Sequence, residues 1–188
     1  MKKAAAIFIG CLLLAGCGGG GESEVACVST YWNETFGLCL PEGWNVLSAE
    51  ELQLRGMPTQ VAAGFQAAEG VSGQFPTITA TVEPLPGEVT LADYAKASRE
   101  AVARRKDYRK IDERKATIDG EETTIHVFSA QPLTTQPQLR FYQLPVPHEG
   151  KGYVFTAALP LTVTDTTVQQ VLTILGSVTF KAPEEKKE

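Results

Sequence analysis

The sequence predicts one α+β domain, a mostly antiparallel sheet with helices packed on it. Three observations carry that expectation. Stretches of period-two alternation, such as Thr77-Ile78-Thr79-Ala80-Thr81-Val82, recur along the chain and argue strands. Asp119-Gly120 and the glycine-rich segment 148–152 each sit between two such stretches, so neighbouring strands are joined as antiparallel hairpins. Three helical patterns with N-cap residues are interposed between strands without strict alternation, which argues against parallel βαβ units.

Residues 36–40 read as a short strand closed by Pro41-Glu42-Gly43, and Trp44 and Val46 continue an extended segment. Ser48-Ala49-Glu50-Glu51 is a capping box, in which the serine hydroxyl meets the third amide and the glutamate reaches back. It opens a helix over 49–55 that Gly56 and Pro58 stop. Val61, Ala63 and Phe65 alternate as a strand that runs into a loop at 69–74. Residues 76–82, β-branched and alternating, form the clearest strand, closed by Pro84-Leu85-Pro86-Gly87.

Thr90-Leu91-Ala92-Asp93 reads as a second capping box. On the helix it opens, Leu91, Tyr94, Ala95, Ser98, Ala101 and Val102 share a face opposite Lys96, Arg99, Glu100, Arg104 and Lys106. That stripe is narrow and mostly small, as suits a helix lying on a sheet. Strands over 108–118 and 122–129 flank the Asp119-Gly120 turn, and strands over 139–146 and 153–159 flank 148–152. Thr164 or Asp165 caps a last helix with Val168, Val171, Leu172 and Leu175 at i, i+3, i+4 and i+7, ended by Gly176. Residues 177–180 are expected to form a final short strand, and the charged tail 182–188 to be disordered.

The beginning of the chain has a different character. Lys2 and Lys3 precede an apolar run from Ala4 to Ala15, the length of a signal-peptide core and too short for a spanning helix of about 20 residues. Leu14-Ala15-Gly16-Cys17 resembles the lipobox of bacterial lipoproteins. That resemblance implies cleavage after Gly16, diacylglycerol on the Cys17 sulfur and acylation of the new N-terminus, a multi-chain membrane anchor. An ordinary secretory leader with a free thiol at Cys17 is the blander reading. Gly18 lacks the aspartate associated with inner-membrane retention, so in a cell with two membranes the sorting rule points to the periplasmic side of the outer membrane. The expected organisation is a signal peptide over 1–16, a lipidated cysteine and glycine-rich tether over 17–26, the folded domain over 27–181, and the tail.

With Cys11 in the leader and Cys17 acylated, Cys27 and Cys39 remain, and in an exported chain they are expected to pair as a disulfide. A two-cysteine metal site is the rival, but neither His126 nor His148 is near in sequence. The formal net charge of −5 becomes −7 once Lys2 and Lys3 leave, so nucleic acid is not an expected partner. Charge is uneven, however. Residues 104–115 carry seven basic side chains, among them Arg104, Arg105, Lys106, Arg109 and Lys110, against three acidic ones, a local +4 that leaves −11 for the rest of the mature chain. Such a patch can face anionic headgroups or an acidic partner, or be a solvated helix end where cations suit the dipole.

Four motifs and their order carry a family resemblance: Phe36-Gly37-Leu38-Cys39-Leu40-Pro41-Glu42-Gly43-Trp44, Thr90-Leu91-x-x-Tyr94, Gly150-Lys151-Gly152-Tyr153-Val154, and Ile174-Leu175-Gly176-Ser177-Val178-Thr179-Phe180. Over residues 35–181 the chain resembles the PsbP/Mog1-like fold, also seen in small DcrB-like bacterial lipoproteins. The resemblance implies an α/β/α sandwich, usually without enzymatic activity, that serves as an accessory docking on larger proteins. One branch assists a photosynthetic complex and another binds a small nuclear-transport GTPase. Neither partner carries over, since these motifs are packing and turn signatures, and the Cys27–Cys39 bridge departs from the core pattern.

Catalytic patterns fare poorly. His126 alternates with Ile125 and Val127 as a strand-face residue does, and His148 sits in a turn beside Glu149. Gly70-Val71-Ser72-Gly73 is not a nucleophile elbow, because the second glycine comes one residue early. Glu50-Glu51 and Glu121-Glu122 lie in a first helical turn and at a hairpin, where carboxylates are at ease. No cofactor or metal is expected. The sequence therefore points to a membrane-anchored, extracytoplasmic, non-enzymatic interaction domain with a protein partner. The alternatives are a carrier of a small apolar ligand, suggested by Ala62, Ala63, Ala67 and Ala95, and a hydrolase with an unrecognised site.

Overall fold

The computed structural model describes residues 25–133 and 135–183. The leader, Cys17, the tether as far as residue 24 and the tail from residue 184 lie outside the described residues. The elements run β1 (Cys27–Trp32), β2 (Gly37–Pro41), β3 (Trp44–Leu47), α1 (Ala49–Leu54), β4 (Val61–Ala67), β5 (Thr77–Pro84), α2 (Leu91–Ala103), β6 (Arg109–Ile118), β7 (Glu121–Ala130), β8 (Leu139–His148), β9 (Lys151–Pro160) and α3 (Asp165–Gly176).

Seven strands form one antiparallel sheet in the order β3-β4-β5-β9-β8-β7-β6, while β1 and β2 pair apart from it. The two long hairpins are tight. Asp119 and Gly120 adopt φ of 53° and 100°, and Glu149 and Gly150 adopt 48° and 72°. Left-handed backbone at both central residues matches the twist of the flanking strands. The turn expected over 148–152 is thus only two residues long, because the ladder continues to the His148↔Lys151 pair.

The sheet has two unlike faces. On one, Phe65, Ile78, Tyr142, Leu144, Phe155 and Leu159 form the main core with Val171, Ile174 and Leu175 of α3 and with Phe36, Leu38 and Leu40 beside them. Phe36 meets Phe155 edge-on at 5.0 Å, and Tyr31 meets Phe65 likewise at 5.0 Å. Strand β1, which carries no strand signal in its residues, is therefore half of a two-stranded cover lying beside α3. On the other face α2 packs against β7 and β8, where Val102 joins Phe128, Ala130 and Phe141 in a second, smaller cluster. Helix, sheet, and helix plus hairpin make the sandwich.

Two local expectations are corrected. Residues 177–180 are not a strand: Thr179 makes a single bridge with Gly37, and the Phe180 amide donates to Asp119 Oδ2 at 2.8 Å instead of to a ladder. At α2 the capping box is half formed. Thr90 Oγ1 accepts from the Asp93 amide at 3.1 Å, but the Asp93 carboxylate takes the Thr90 hydroxyl at 2.7 Å and leaves the Thr90 amide alone, a shorter reach than a glutamate has. At α1 both halves are present, with Ser48 Oγ accepting from Glu51 N and Glu51 Oε2 accepting from Ser48 N at 2.7 Å.

Candidate functional site

Sheet register sets a polar row beneath α2. Cross-strand pairing puts Glu113 of β6, His126 of β7, Gln143 of β8, Thr156 of β9, Thr79 of β5 and Gly64 of β4 at one level across the sheet. Partners across a strand pair point to the same side, so the row lies on the α2 side of the sheet, with Gly64 against Leu52 of α1. The bulge at Ile111 keeps Glu113 in this row while setting Lys110 on the same face. Lys110 Nζ then reaches Glu113 Oε1 at 3.1 Å, and this contact is the main cause holding the Glu113 carboxyl below its ordinary range.

His126 is 2% exposed and lies in a run of stacked rings, 5.3 Å from Phe128, which in turn stacks on Phe141 at 5.1 Å. Its Nε2 is 3.0 Å from the Tyr108 hydroxyl. Its Nδ1 is buried without a hydrogen bond, 4.0 Å from Glu113 Oε1. Burial lowers its pKa first; Glu113 opposes that, and Arg99 and Lys110 add to it. The ring is therefore neutral at physiological pH. A carboxylate can only accept, so the tautomer with hydrogen on Nδ1 suits the site, with the Tyr108 hydroxyl donating to Nε2. Gln143, 7% exposed, accepts the Ser98 hydroxyl on Oε1 at 3.3 Å and points Nε2 at Thr156 Oγ1 at 3.5 Å.

Because α2 sits over β7 and β8, β5 and part of β9 are left beside it as the floor of an open cleft of about 680 Å³. Thr79, Thr81 and Thr156 supply the floor, and Ser98, Ala101 and Arg105 the α2 wall. At one end Tyr94 donates its hydroxyl to Glu83 Oε1 at 2.8 Å. Burial, reinforced by Glu83, raises the pKa of that phenol, so it remains a donor. The cleft offers hydroxyls, a buried amide, one guanidinium and the Glu83 carboxylate, set among alanine and valine side chains. The side chains that could move protons are engaged elsewhere, Glu83 with Tyr94, Ser98 with Gln143, and His126 with Tyr108.

Of the residues singled out from sequence, Cys27 and Cys39 are bonded to each other, with Cα atoms 5.5 Å apart. The five basic residues sit on different elements. Arg104 caps α2, Arg105 lines the cleft, Lys106 lies in the following turn, Arg109 pairs with Ser129, and Lys110 pairs with Phe128 on the α2 side. His148 stacks on Phe180 at 4.3 Å. Ala63 and Ala67 are packed into the main core, Ala95 is buried on α2, Ala62 is exposed, and none of the four lines the cleft. Sequence reading passed over Gln143, whose place among Phe141, Tyr142 and Leu144 was a usable signal. It also passed over Tyr94–Glu83, which only folding brings together.

The chain matches no family model and no curated protein. Among solved structures it is similar to LpqN of Mycobacterium tuberculosis, a protein involved in cell envelope biogenesis, with 17% identity, a TM-score of 0.56 and coverage of 80% of this chain and 83% of that one. It is similar to the cyanobacterial PsbP of Synechocystis sp. PCC 6803, with 15% identity, a TM-score of 0.53 and coverage of 88% and 99%. A Pseudomonas aeruginosa protein of unknown function, PA94, matches with 11% identity, a TM-score of 0.50 and coverage of 84% and 98%. At these identities the likeness concerns architecture. With its seven-stranded antiparallel sheet and flanking helices in one domain, the chain has a PsbP-like α+β fold.

Proposed function

We propose that this chain is a lipid-anchored accessory domain on the extracytoplasmic side of a bacterial membrane, and that it acts by holding an acidic, polar segment of a partner protein, without turning over a substrate. The observation that carries the reading is Arg105, which lines the cleft beside α2 and links its hydroxyl-rich floor to the exposed Arg104 and Lys106. A floor of threonines and a buried amide suits a polar occupant, and cations at the margin speed encounter with an acidic one. The lipobox-like Leu14-Ala15-Gly16-Cys17 supports the anchor, and LpqN's involvement in envelope biogenesis supports the setting.

Crosslinking and affinity capture from native membranes test this with the full chain and its Arg105→Glu variant. The unaltered chain is expected to retain a discrete partner and the variant to retain it at least fivefold less. Recovery of the same proteins in the same amounts from both would rule out the cleft. Mass spectrometry of the native protein reads the anchor separately: an uncleaved leader, or a mature terminus without acyl groups, refutes it.

A further inference from the structure

A second groove, of about 530 Å³, lies on the face opposite α2, between strands β6 and β8 and the N-terminal half of α3. Two guanidiniums line it, Arg114 and Arg140, and they are held differently. Arg114 gives its Nε to Asp112 Oδ2 at 2.7 Å, so its charge is matched. Arg140 has no ion pair or side-chain hydrogen bond among the described residues, and its Nε is shut from solvent with no acceptor.

That is an unusual position for an arginine. Its cross-strand neighbours are Ser129 and Leu159, and the positions that follow it on the same side of β8, Tyr142 and Leu144, are core residues. A leucine would satisfy the packing. A half-buried guanidinium with an unmet donor is costly unless something outside the fold supplies the acceptor. The planar fork of arginine matches a phosphate oxygen pair. Asp165, which has no ion pair among the described residues, lines the same groove. With Arg114 and Asp112 cancelling, the groove presents one unpaired guanidinium, Arg140, and one exposed carboxylate, Asp165, in the first turn of α3.

Position narrows the source of the ligand. Val25 lines this groove and Cys17 lies eight residues before it. Eight residues can span no more than roughly 30 Å. On the lipid-anchored reading above, the groove therefore stays within reach of the headgroup layer. We propose that it binds a zwitterionic phospholipid headgroup, its phosphate on Arg140 with Arg114 in support and its ammonium on Asp165. That chemistry is phosphoethanolamine.

The test uses the full chain with Cys17→Ser, so that no acyl group of its own competes. It is titrated with dihexanoylphosphatidylethanolamine below its micelle concentration, with dihexanoylphosphatidylglycerol and with inorganic phosphate, and read on the arginine Nε–H resonances. The ethanolamine lipid is expected to shift the Arg140 resonance saturably and to bind at least fivefold more tightly than the other two. Arg140→Gln should weaken it at least tenfold. Arg114→Gln, at an exposed position, should weaken it about threefold, and Asp165→Asn should erase the preference over the glycerol lipid. An unmoved Arg140 resonance overturns the site, and equal affinity for inorganic phosphate overturns its assignment to lipid. Since the variant carries no acyl chain, either failure is distinct from a failure of acylation, which the mass of the native protein reports.

Discussion

Gly152→Ala tests how α2 is seated. Gly152 sits in β9 opposite Glu83 of β5 and Pro147 of β8, and the phenol end of Tyr94 lies against it. A Cβ added there would fall within the phenol, against Oη, Cζ and Cε2. Its backbone is not left-handed, so alanine is acceptable to the strand itself and the cost is the displacement of Tyr94. That side chain is 5% exposed and carries the hydrogen bond to Glu83. Overpacking of this kind costs about 1–3 kcal/mol. The hydrogen bond adds about 1 kcal/mol, at the low end because Glu83 is exposed. The variant is therefore expected to lose about 2–4 kcal/mol, a urea midpoint lower by about 1–2 M for a slope of about 2 kcal/mol/M. Tyr94→Ala alone should cost about 3–5 kcal/mol as a buried aromatic. In that background Gly152→Ala should cost under about 0.5 kcal/mol, because the obstructing ring has gone. Urea unfolding of the four proteins gives a coupling of about 2 kcal/mol on this reasoning. A Gly152→Ala midpoint within about 0.3 M of the parent, or strict additivity with Tyr94→Ala, would refute it.

Three further outcomes are expected. The pKa of His126 is lowered in the fold, so between about 6.5 and its folded value the unfolded chain binds more protons. Its contribution is complete above pH 6.5 and is lost as pH falls through the folded pKa. Thermal unfolding from pH 8 to 5 should show that decline and His126→Phe should flatten it, whereas carboxyls such as Glu113, also lowered, act only at more acidic pH. Reducing the Cys27–Cys39 bridge, which closes 13 residues, should lower stability by about 3 kcal/mol on the chain-entropy account, read as the urea midpoint with and without dithiothreitol; a loss under about 1 kcal/mol contradicts that account. Ser48→Ala removes the cap of α1, a helix with no fully buried residue, at a local cost of about 1 kcal/mol. Hydrogen exchange at the Leu52 and Arg55 amides should speed up while the global midpoint barely moves, and a large midpoint shift would show α1 to be integral to the core.

Local chemistry made most elements legible. Residues 77–82 alternate because one side chain in two enters the core, and Ile78 and Ala80 do so. Ser48 and Thr164 marked helix starts because short oxygen-bearing side chains meet free amides there. Strand β1 was illegible because CVSTYW buries neither face: its first four residues are exposed and only Tyr31 and Trp32 are partly covered. The last segment carried a strand pattern that Asp119 overrode by taking the Phe180 amide. The basic residues are close in sequence, and which element each joins was not legible there: Arg104 ends α2, Arg105 lines the cleft, and the bulge after Lys110 sets the register of β6.

Covalent connectivity and short-range hydrogen bonding made the class of fold, the hairpins, the caps and the Cys27–Cys39 pair readable from the residues alone. Tertiary structure decided the sites. Thr79 joins Thr156, Gln143 and His126 only because β5 pairs with β9 and β9 with β8, and Arg114 meets Arg140 only because β6 and β8 flank β7 under α3. Periodicity says which way a side chain faces but not which strand lies beside it. That choice is settled by burial of the two sheet faces together, a property of the assembled layers and of no single segment.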